Sequence, residues 1–521
     1  MPDVALFVSF VVLFYCLFFY GGTEQLFRDS DTGWHIRNGE SILASGKIPH
    51  ADPYSFTRPD APWFPWEWGA DLLMGYVHKH FALTGICLLY SSLIGLATWL
   101  WFQLNWRVNG NFLLACALAA PMLSTTNLHW LARPHIFSWI FLLVLLIQFE
   151  RVQSLPYGRG SEAATPFQFA TPFRAATVRE RFRLRDALEL AALSALWANM
   201  HGSFFLAPMI ALIYAAGWFA RSLIWNTSGS SQAKWFLLAA IPLAAGSLAN
   251  PFGIELHKHI YQYLNNSELL QRVAEFQTFN FHVEGAFQIV LTLGIAALGG
   301  FAALSSRKPH HFLLAVLFCA MALRSARGLP LVALLILPLA NGAITEALIR
   351  AKGFRPWLRN SLNSTIGYGE RLRTIDSGLR GYALIPAILL LALVVLRAPA
   401  VVAHTGFPPK EFPVAAASEI EKLPENARIL APDKYGGYLI YRFPGRRKVF
   451  FDGRSDFYGS TFMKEYIMLV EVRPGWREQM QKWEFTHALL PNTYSLIPAL
   501  EQAGWKRMYR DGTATLLIRN L

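Results

Sequence analysis

The sequence predicts a polytopic α-helical membrane protein with a small α/β domain at its C-terminal end, and three observations carry that reading. Apolar runs of roughly 18 to 20 residues recur up to about position 400. The chain is 54% hydrophobic and only 16% charged, with a mean hydropathy of +0.30, a balance that excludes an ordinary soluble enzyme. Beyond about Ala400 the pattern changes to denser charge and short β-prone strings separated by turns.

About eleven spans follow from the apolar runs, over residues 3–20, 82–103, 111–129, 135–149, 186–200, 203–220, 235–250, 285–304, 311–324, 329–348 and 381–398. The first has no basic leader and no small-residue cleavage site, and Phe18, Phe19 and Tyr20 suit an interfacial anchor, so it reads as a retained helix. Cys16, Cys87, Cys116 and Cys319 lie inside apolar segments without CxxC or Cys/His spacing, which indicates neither a disulfide framework nor a zinc site. A net charge of +13 does not imply nucleic acid. The charge gathers in loops between apolar runs, where topology alone would put it, and no nucleic-acid-binding signature accompanies it.

Orientation follows from the basic loops. Arg151, Arg159, Arg174, Arg179, Arg181, Arg183 and Arg185 fill one, and Arg350, Lys352, Arg355, Arg359, Arg371, Arg373 and Arg380 fill another. Placing both in the cytoplasm puts the amino terminus inside a bacterial-type inner membrane. The loop 21–81, the His201 turn, the loop 251–284 and the tail then face outward, into the periplasm.

Residues 1–399 form the transmembrane domain, and its first outer loop, 21–81, is too long and aromatic for a simple connector. A helix is predicted over 32–45, stopped by Gly46, followed by a turn-rich stretch. A second, amphipathic helix starts near Trp66-Glu-Trp68 and runs through Val77, lying at the interface. Residues 400–521 form an outer-face α/β domain large enough to bury its own core. Strands are expected at 427–431, 438–441, 448–451, 487–490 and 514–518, and helices at 416–423, 461–471, 474–482 and 495–503.

The chemistry-bearing feature is Asp29 and Asp31 at the exit of the first span. Acids placed there can take a proton from a substrate or hold a cation beside a lipid-borne ligand. His35, four residues on, shares a helical face with Asp31. The plainer reading makes Asp31 the N-cap of the 32–45 helix. Mg²⁺ or Mn²⁺ at Asp29 and Asp31 would find only two ligand side chains, with His35 a soft fit, so a metal requirement stays open. The sequence holds no nucleophile elbow, P-loop, dinucleotide fingerprint or HExxH, which argues against a serine hydrolase, an ATP-driven pump, a redox enzyme and a zinc protease.

An amino-terminal span, an acidic site in a long first outer loop with two flat helices, many further spans and a soluble tail together resemble the GT-C superfamily of integral-membrane glycosyltransferases. In detail, Asp31-Thr-Gly-Trp-His35, Gly39-Glu40, Gly46-Lys-Ile-Pro49, Asp52-Pro-Tyr-Ser-Phe-Thr57, Trp63 and Trp66-Glu-Trp68 resemble bacterial GT-C-like proteins of unassigned specificity. So do Arg133-Pro134, Asn199-Met-His-Gly202, Asn250-Pro-Phe-Gly253 and Phe450-Phe-Asp-Gly-Arg-Ser-Asp456. The resemblance implies a polyprenyl-phosphate-linked sugar as donor, an acceptor that is a lipid, glycan or protein, and Asp31 as base, with Asp29 second.

Inverting transfer also needs cations at the leaving phosphate. The candidates are Arg324 and Arg327, expected on one helical face with no acidic partner nearby in sequence, then Arg133, His201 and Lys258. Asp52, Glu67, Trp66 and Trp68 are the candidates for substrate contact, against a turn for Asp52 and interfacial anchoring for the Trp66-Glu-Trp68 string. The string Asp452 to Asp456 can meet the acceptor or simply hold a local Asp/Arg pair, while Glu268 and Glu275 read as solvated. Two other classes stay open: a lipid or polysaccharide transporter without chemistry, which should show paired pseudo-repeats and midplane charges, and a membrane scaffold, which should tolerate loss of Asp31.

Overall fold

The structure is a computed structural model that describes residues 1–153, 182–227, 229–379 and 381–520. Helix α1 (Val4–Phe18) opens at Asp3, whose carboxylate accepts from the Leu6 N–H at 2.8 Å, the expected cap of a free helix start. At Phe19 the chain bends by 79° into α2 (Tyr20–Phe27), which delivers Asp29 and Asp31 beside the first span. Helix α3 (Asp31–Ser45) ends on Gly46 in the left-handed conformation, φ 66°.

Helix α4 (Trp68–Arg107) merges the expected amphipathic helix with the second span, and the join shows as a backbone break at Ala82, φ 51° and ψ −154°. It crosses α3 at Gly39 and Gly75. A Cβ on either glycine would collide with the other helix's backbone, so this spacing exists only because both lack one.

The bundle continues through α5 (Phe112–Asn127), α6 (His135–Gln153), α7 (Leu184–Met200), α8 (Leu206–Trp225) and α9 (Ser230–Gly246). The loop 251–284 folds into α10 (Ile254–Asn265), α11 (Ser267–Leu270) and a 3₁₀ turn at Ala274–Phe276. Then come α12 (Ala286–Ser305), α13 (Pro309–Arg324) and α14 (Leu329–Leu331), which runs through a π-helical turn into α15 (Leu337–Arg350), followed by α16 (Pro356–Ser377) and α17 (Leu384–Val395).

Every expected span falls on a helix, but among the described residues five helices are long and apolar enough to cross a membrane, or up to seven if each bent pair counts as one. Helices α5, α7, α9 and α13 reach only 16 or 17 residues, about 24 to 26 Å of rise against a hydrocarbon core of about 30 Å. This is an integral membrane protein with a helical bundle. Of the basic positions that set the expected orientation, Arg159, Arg174, Arg179, Arg181 and Arg380 lie outside the described residues.

After α18 (Pro399–His404) and α19 (Ala417–Glu421), the tail is built on a four-stranded sheet in the order β1-β2-β4-β3. β1 (Ile429–Leu430) runs parallel to β2 (His487–Pro491), and β4 (Ala514–Ile518) is antiparallel to both β2 and β3 (Lys506–Arg510). Around it lie α20 (Asp433–Arg442), α21 (Ser455–Val470), α22 (Trp476–Lys482) and α23 (Leu496–Gln502).

Two expected strands are absent as such. Residues 438–441 lie in α20 because Gly437 packs on the backbone of Ser30 and Gly33 packs on the backbone of Gly437, a helix-to-helix approach that overrides local β-propensity. Residues 448–451 contribute a single bridge, Val449 to Ser55 of the first loop, with Val449 N–H donating to Tyr54 O at 2.8 Å and Phe56 N–H to Val449 O at 3.0 Å. The edge strand β3 was not expected, since its outward, charged residues give no apolar alternation.

The tail does not close its core alone. Trp34 and Trp63 of the first loop and Leu269 of the 251–284 loop are buried in the same apolar cluster as Leu430, Phe485, Leu489 and Leu516.

Candidate active site

Where α2 meets α3, three carboxylates converge on one guanidinium. Arg133, in the turn before α6, places Nη1 at 2.9 Å from Asp29 Oδ2 and at 2.7 Å from Glu275 Oε1, and Nη2 at 2.8 Å from Asp31 Oδ2. Glu275 comes from the 3₁₀ turn of the 251–284 loop, and its Oε2 accepts from Arg327 Nε at 2.6 Å. Arg327 in turn lies over the Phe276 ring, 4.4 Å from its centroid.

Three acids therefore share two guanidinium charges, leaving one negative charge in excess. Burial pushes the Asp31 carboxyl up to about 7, with Asp29 and Glu275 adding repulsion that Arg133 only partly offsets. Burial also works against ionised Glu275, but Arg133 and Arg327 outweigh it and hold that carboxyl well below its usual range. Of these two carboxyls, Asp31 is therefore the one that takes up a proton more readily.

Asp31 is not the helix cap. Ser30 holds the N-cap position, and Asp29 Oδ1 accepts from the Asp31 N–H at 2.8 Å, which leaves the Asp31 side chain for Arg133. Nor does His35 meet Asp31. It is fully buried, with Nδ1 at 2.5 Å from Asp71 Oδ1, and Asn38 Nδ2 donates to the other Asp71 oxygen at 2.6 Å. Burial, and after it the nearby Arg133 charge, holds the His35 imidazole well below its ordinary value and therefore neutral.

Glu67 stands between two histidines, with Oε2 at 3.6 Å from His35 Nε2 and Oε1 at 3.4 Å from His201 Nε2. Burial and the adjacent Asp71 push its carboxyl up to about 8. His201 is driven down to about 3 by burial and then by Arg327 and Arg133, and its Nδ1 lies 2.8 Å from Ser138 Oγ and 2.9 Å from Ser203 Oγ.

The other sequence candidates scatter. Arg324 ends α13 exposed, and the helix breaks at Ser325, so it shares no helical face with Arg327. Arg327 takes its acidic partner from far along the chain, because Glu275, 52 positions earlier, folds back onto it. Lys258 is exposed and paired to Glu255 at 2.7 Å. Trp66 packs against His259 and Tyr263, and Trp68 donates through Nε1 to Asn199 Oδ1 at 2.8 Å.

Asp52 is buried and contacts Arg454 Nη1 at 2.8 Å through Oδ1. Asp452 takes the rest of that guanidinium, accepting from Nε at 2.8 Å and from Nη2 at 2.7 Å, while Trp63 covers its face at 4.7 Å. Two strings of the resemblance, some 400 positions apart, thus form one knot that docks the tail on the first loop. His259 Nε2 to Asp456 Oδ2, at 3.0 Å, ties in the 251–284 loop.

That docking reaches the carboxylates directly. A Cβ on Gly453 would collide with Asp31 Oδ1, so the tail's turn seals one side of the cluster. Gly453→Ala is expected to displace the Asp31 carboxylate or lift the turn, shifting the pH profile of any activity while the tail stays folded. An unchanged profile in that variant would separate the tail from the site.

An open pocket of about 440 Å³ borders the cluster, lined by Asp29, Glu275, Arg28, His129 and, from the tail, Lys434 and Glu411, with Leu128, Leu131 and Phe279 as apolar walls. Sequence reasoning missed most of these. Glu275 read as solvated because nothing local pairs it, although the aromatic residues Phe276, Phe279 and Phe281 around a lone acid were a usable signal. Lys434 and Glu411 had none.

The residues do not fit a divalent cation as they stand. The space among Asp29, Asp31 and Glu275 is taken by Arg133 itself, and a second cation there would face the guanidinium at contact distance.

A helix pair bent by 79° at Phe19, a helix led by a buried acid, a helical bundle and a tail docked on the first loop give this integral membrane protein the GT-C fold, and the superpositions carry that assignment. The archaeal oligosaccharyltransferase AglB from Archaeoglobus fulgidus, solved with an inhibitory peptide and a dolichol-phosphate, superposes with a TM-score of 0.56 at 11% identity, over 94% of this chain and 69% of that one. The A. fulgidus oligosaccharyltransferase tethered to an acceptor peptide containing an NVT sequon gives 0.55 at 12% identity, over 94% and 68%. ArnT from Cupriavidus metallidurans bound to undecaprenyl phosphate gives 0.48 at 13% identity, over 99% and 97%. No protein-family model and no curated protein matches the chain in sequence. At these identities the likeness is one of fold.

Proposed function

We propose that the protein is an inverting glycosyltransferase that moves a sugar from a polyprenyl-phosphate donor to a lipid, glycan or protein acceptor at the outer face of a bacterial inner membrane. The observation that carries this reading is Asp31, the under-compensated member of three carboxylates around Arg133, whose two fellow acids, Asp29 and Glu275, line an open pocket on a GT-C fold. As the acceptor oxygen attacks the anomeric carbon, its proton passes to Asp31, the bond from that carbon to phosphate breaks, and polyprenyl phosphate leaves. Arg133 and Arg327, which hold the carboxylates, and Arg28 and Lys434 at the pocket wall are the cations that would meet the leaving phosphate. Asp29 positions α3 and shares Arg133. Of the other sequence candidates, Asp52 fits tail docking rather than substrate contact, and His35 fits the support of Glu67 and Asp71.

The pH profile tests the base. Asp31 accepts a proton only when ionised, and its carboxyl lies at about 7, so kcat/KM is expected to rise with pH through about 7 and level off above it. Transfer would be followed in nanodiscs with polyprenyl-phosphate sugars of different head groups. A profile flat from pH 6 to 8 would remove Asp31 from the role.

The proposed orientation has its own test. The carboxylate cluster, the 251–284 loop and the tail contact one another, so all share one side of the membrane. With native cysteines removed, Ser418→Cys is expected to react with an impermeant thiol reagent in intact cells and Ser361→Cys only after lysis. The reverse pattern would turn the protein over.

A further inference from the structure

A second polar cluster lies at the other end of the bundle. Glu150 sits on α6 fifteen positions beyond His135, roughly 22 Å along the helix axis from the carboxylate end. Beside it stand His310 and His311, in the first turn of α13, the end opposite Arg324. All three side chains are buried, and one ligand atom from each lies within 4.8 Å of the others.

Ordinary hydrogen bonding accounts for part of this cluster. His311 Nε2 is 2.8 Å from Glu150 Oε1, which also accepts from Tyr214 OH at 2.6 Å and Gln153 Nε2 at 2.6 Å. It does not account for His310. That ring is fully buried between Tyr214, at 5.0 Å, and Trp218, at 5.5 Å, and neither of its nitrogens has a hydrogen-bond partner among the described residues. His311 Nδ1 is unpartnered in the same sense. Buried polar groups are almost always paired, so three orphaned imidazole nitrogens around one carboxylate call for a missing partner.

We propose that Glu150, His310 and His311 form a structural Zn²⁺ site that clamps α6 to α13 at the end of the bundle opposite the carboxylate cluster. Two imidazole nitrogens and one carboxylate oxygen are a donor set that zinc accepts and that Mg²⁺ and Ca²⁺, which prefer oxygen, do not favour. Zinc-to-ligand distances of about 2.0 to 2.2 Å require these atoms to close by roughly an ångström, which side-chain torsions can supply. Tyr214 then serves as the hydrogen-bond partner that orients the ligating carboxylate. The N-terminal end of α13 opposes a cation by a fraction of a charge, and Lys308 and Arg221 lie within electrostatic reach of His310; Glu150 supplies the opposing full charge, and Lys308 is itself paired with Glu346 at 2.9 Å.

The test uses the full chain, without an affinity tag, in nanodiscs and in a D29N/D31N background so that the other acidic cluster cannot contribute. After chelation and dialysis against Zn²⁺, one tightly held ion per chain is expected, and His310→Ala should weaken its retention at least tenfold. Equal retention in the His310→Ala protein would overturn the proposal, as would no retained zinc in a protein whose melting profile shows it folded. If that variant fails to fold, zinc-edge X-ray absorption on the D29N/D31N protein decides. Nitrogen neighbours near 2.0 to 2.1 Å are expected, and an oxygen-only shell would refute the site.

Discussion

If the proposed function holds, Asp31→Asn is expected to lower sugar transfer by on the order of 10² to 10⁴, the usual cost of losing a general base, while expression and melting stay close to wild type. The substitution keeps side-chain size and an oxygen for Arg133, and it brings the cluster from one excess negative charge to neutrality. It cannot act by uncapping α3, because Asp29 makes the local bond to the Asp31 N–H. Asp29→Asn is the control: it keeps an acceptor for that bond and should cost far less. Full turnover in both variants would end the assignment of a base to this site and favour a transporter or a scaffold.

The largest effect on stability is expected from Arg133→Met. It strands Asp29, Asp31 and Glu275 with Arg327 as their remaining close cation, and breaking a buried charge pair typically costs about 3 to 5 kcal/mol. The Arg133 side chain is 17% exposed, so water relieves part of that and the lower end, about 3 kcal/mol, is the fitting figure. Denaturation by SDS in mixed micelles would measure it. The same change in a D29N/D31N background should cost much less, since two of the stranded charges are gone, and the difference is the coupling energy. Equal costs in the two backgrounds would mean that Arg133 matters through packing instead.

Much of this architecture was legible because it is written locally. The apolar runs, the 32–45 helix with its Gly46 stop, the position of Asp31 at a span exit, and strands β2 and β4 each follow from periodicity or a terminal residue. What stayed hidden depends on partners remote in the chain. Glu275 reads as a solvated loop acid until Arg133 and Arg327 close on it, and 438–441 reads as a strand until Gly437 meets the backbone of α3. Asp52 reads as a turn starter until Arg454 arrives from the tail. His35 was placed correctly on a helix but on the wrong partner, because the approach of α3 to α4 at Gly39 and Gly75 sets its neighbour as Asp71.

The approach of α20 to α3 bears on how the protein is made. Arg37 donates to the Tyr441 carbonyl across 404 positions, at 2.8 Å through Nε, and Gly33 and Gly437 meet beside it. A ribosome adds about 400 residues between α3 and α20, so over that stretch of translation the first loop waits without its cover. Contacts of such long range form late, and an uncovered loop bearing Trp34 and Trp63 is a target for chaperones and proteases on the way. Ribosome-released chains cut short before Asp433 should therefore be degraded even though every candidate span among the described residues is present.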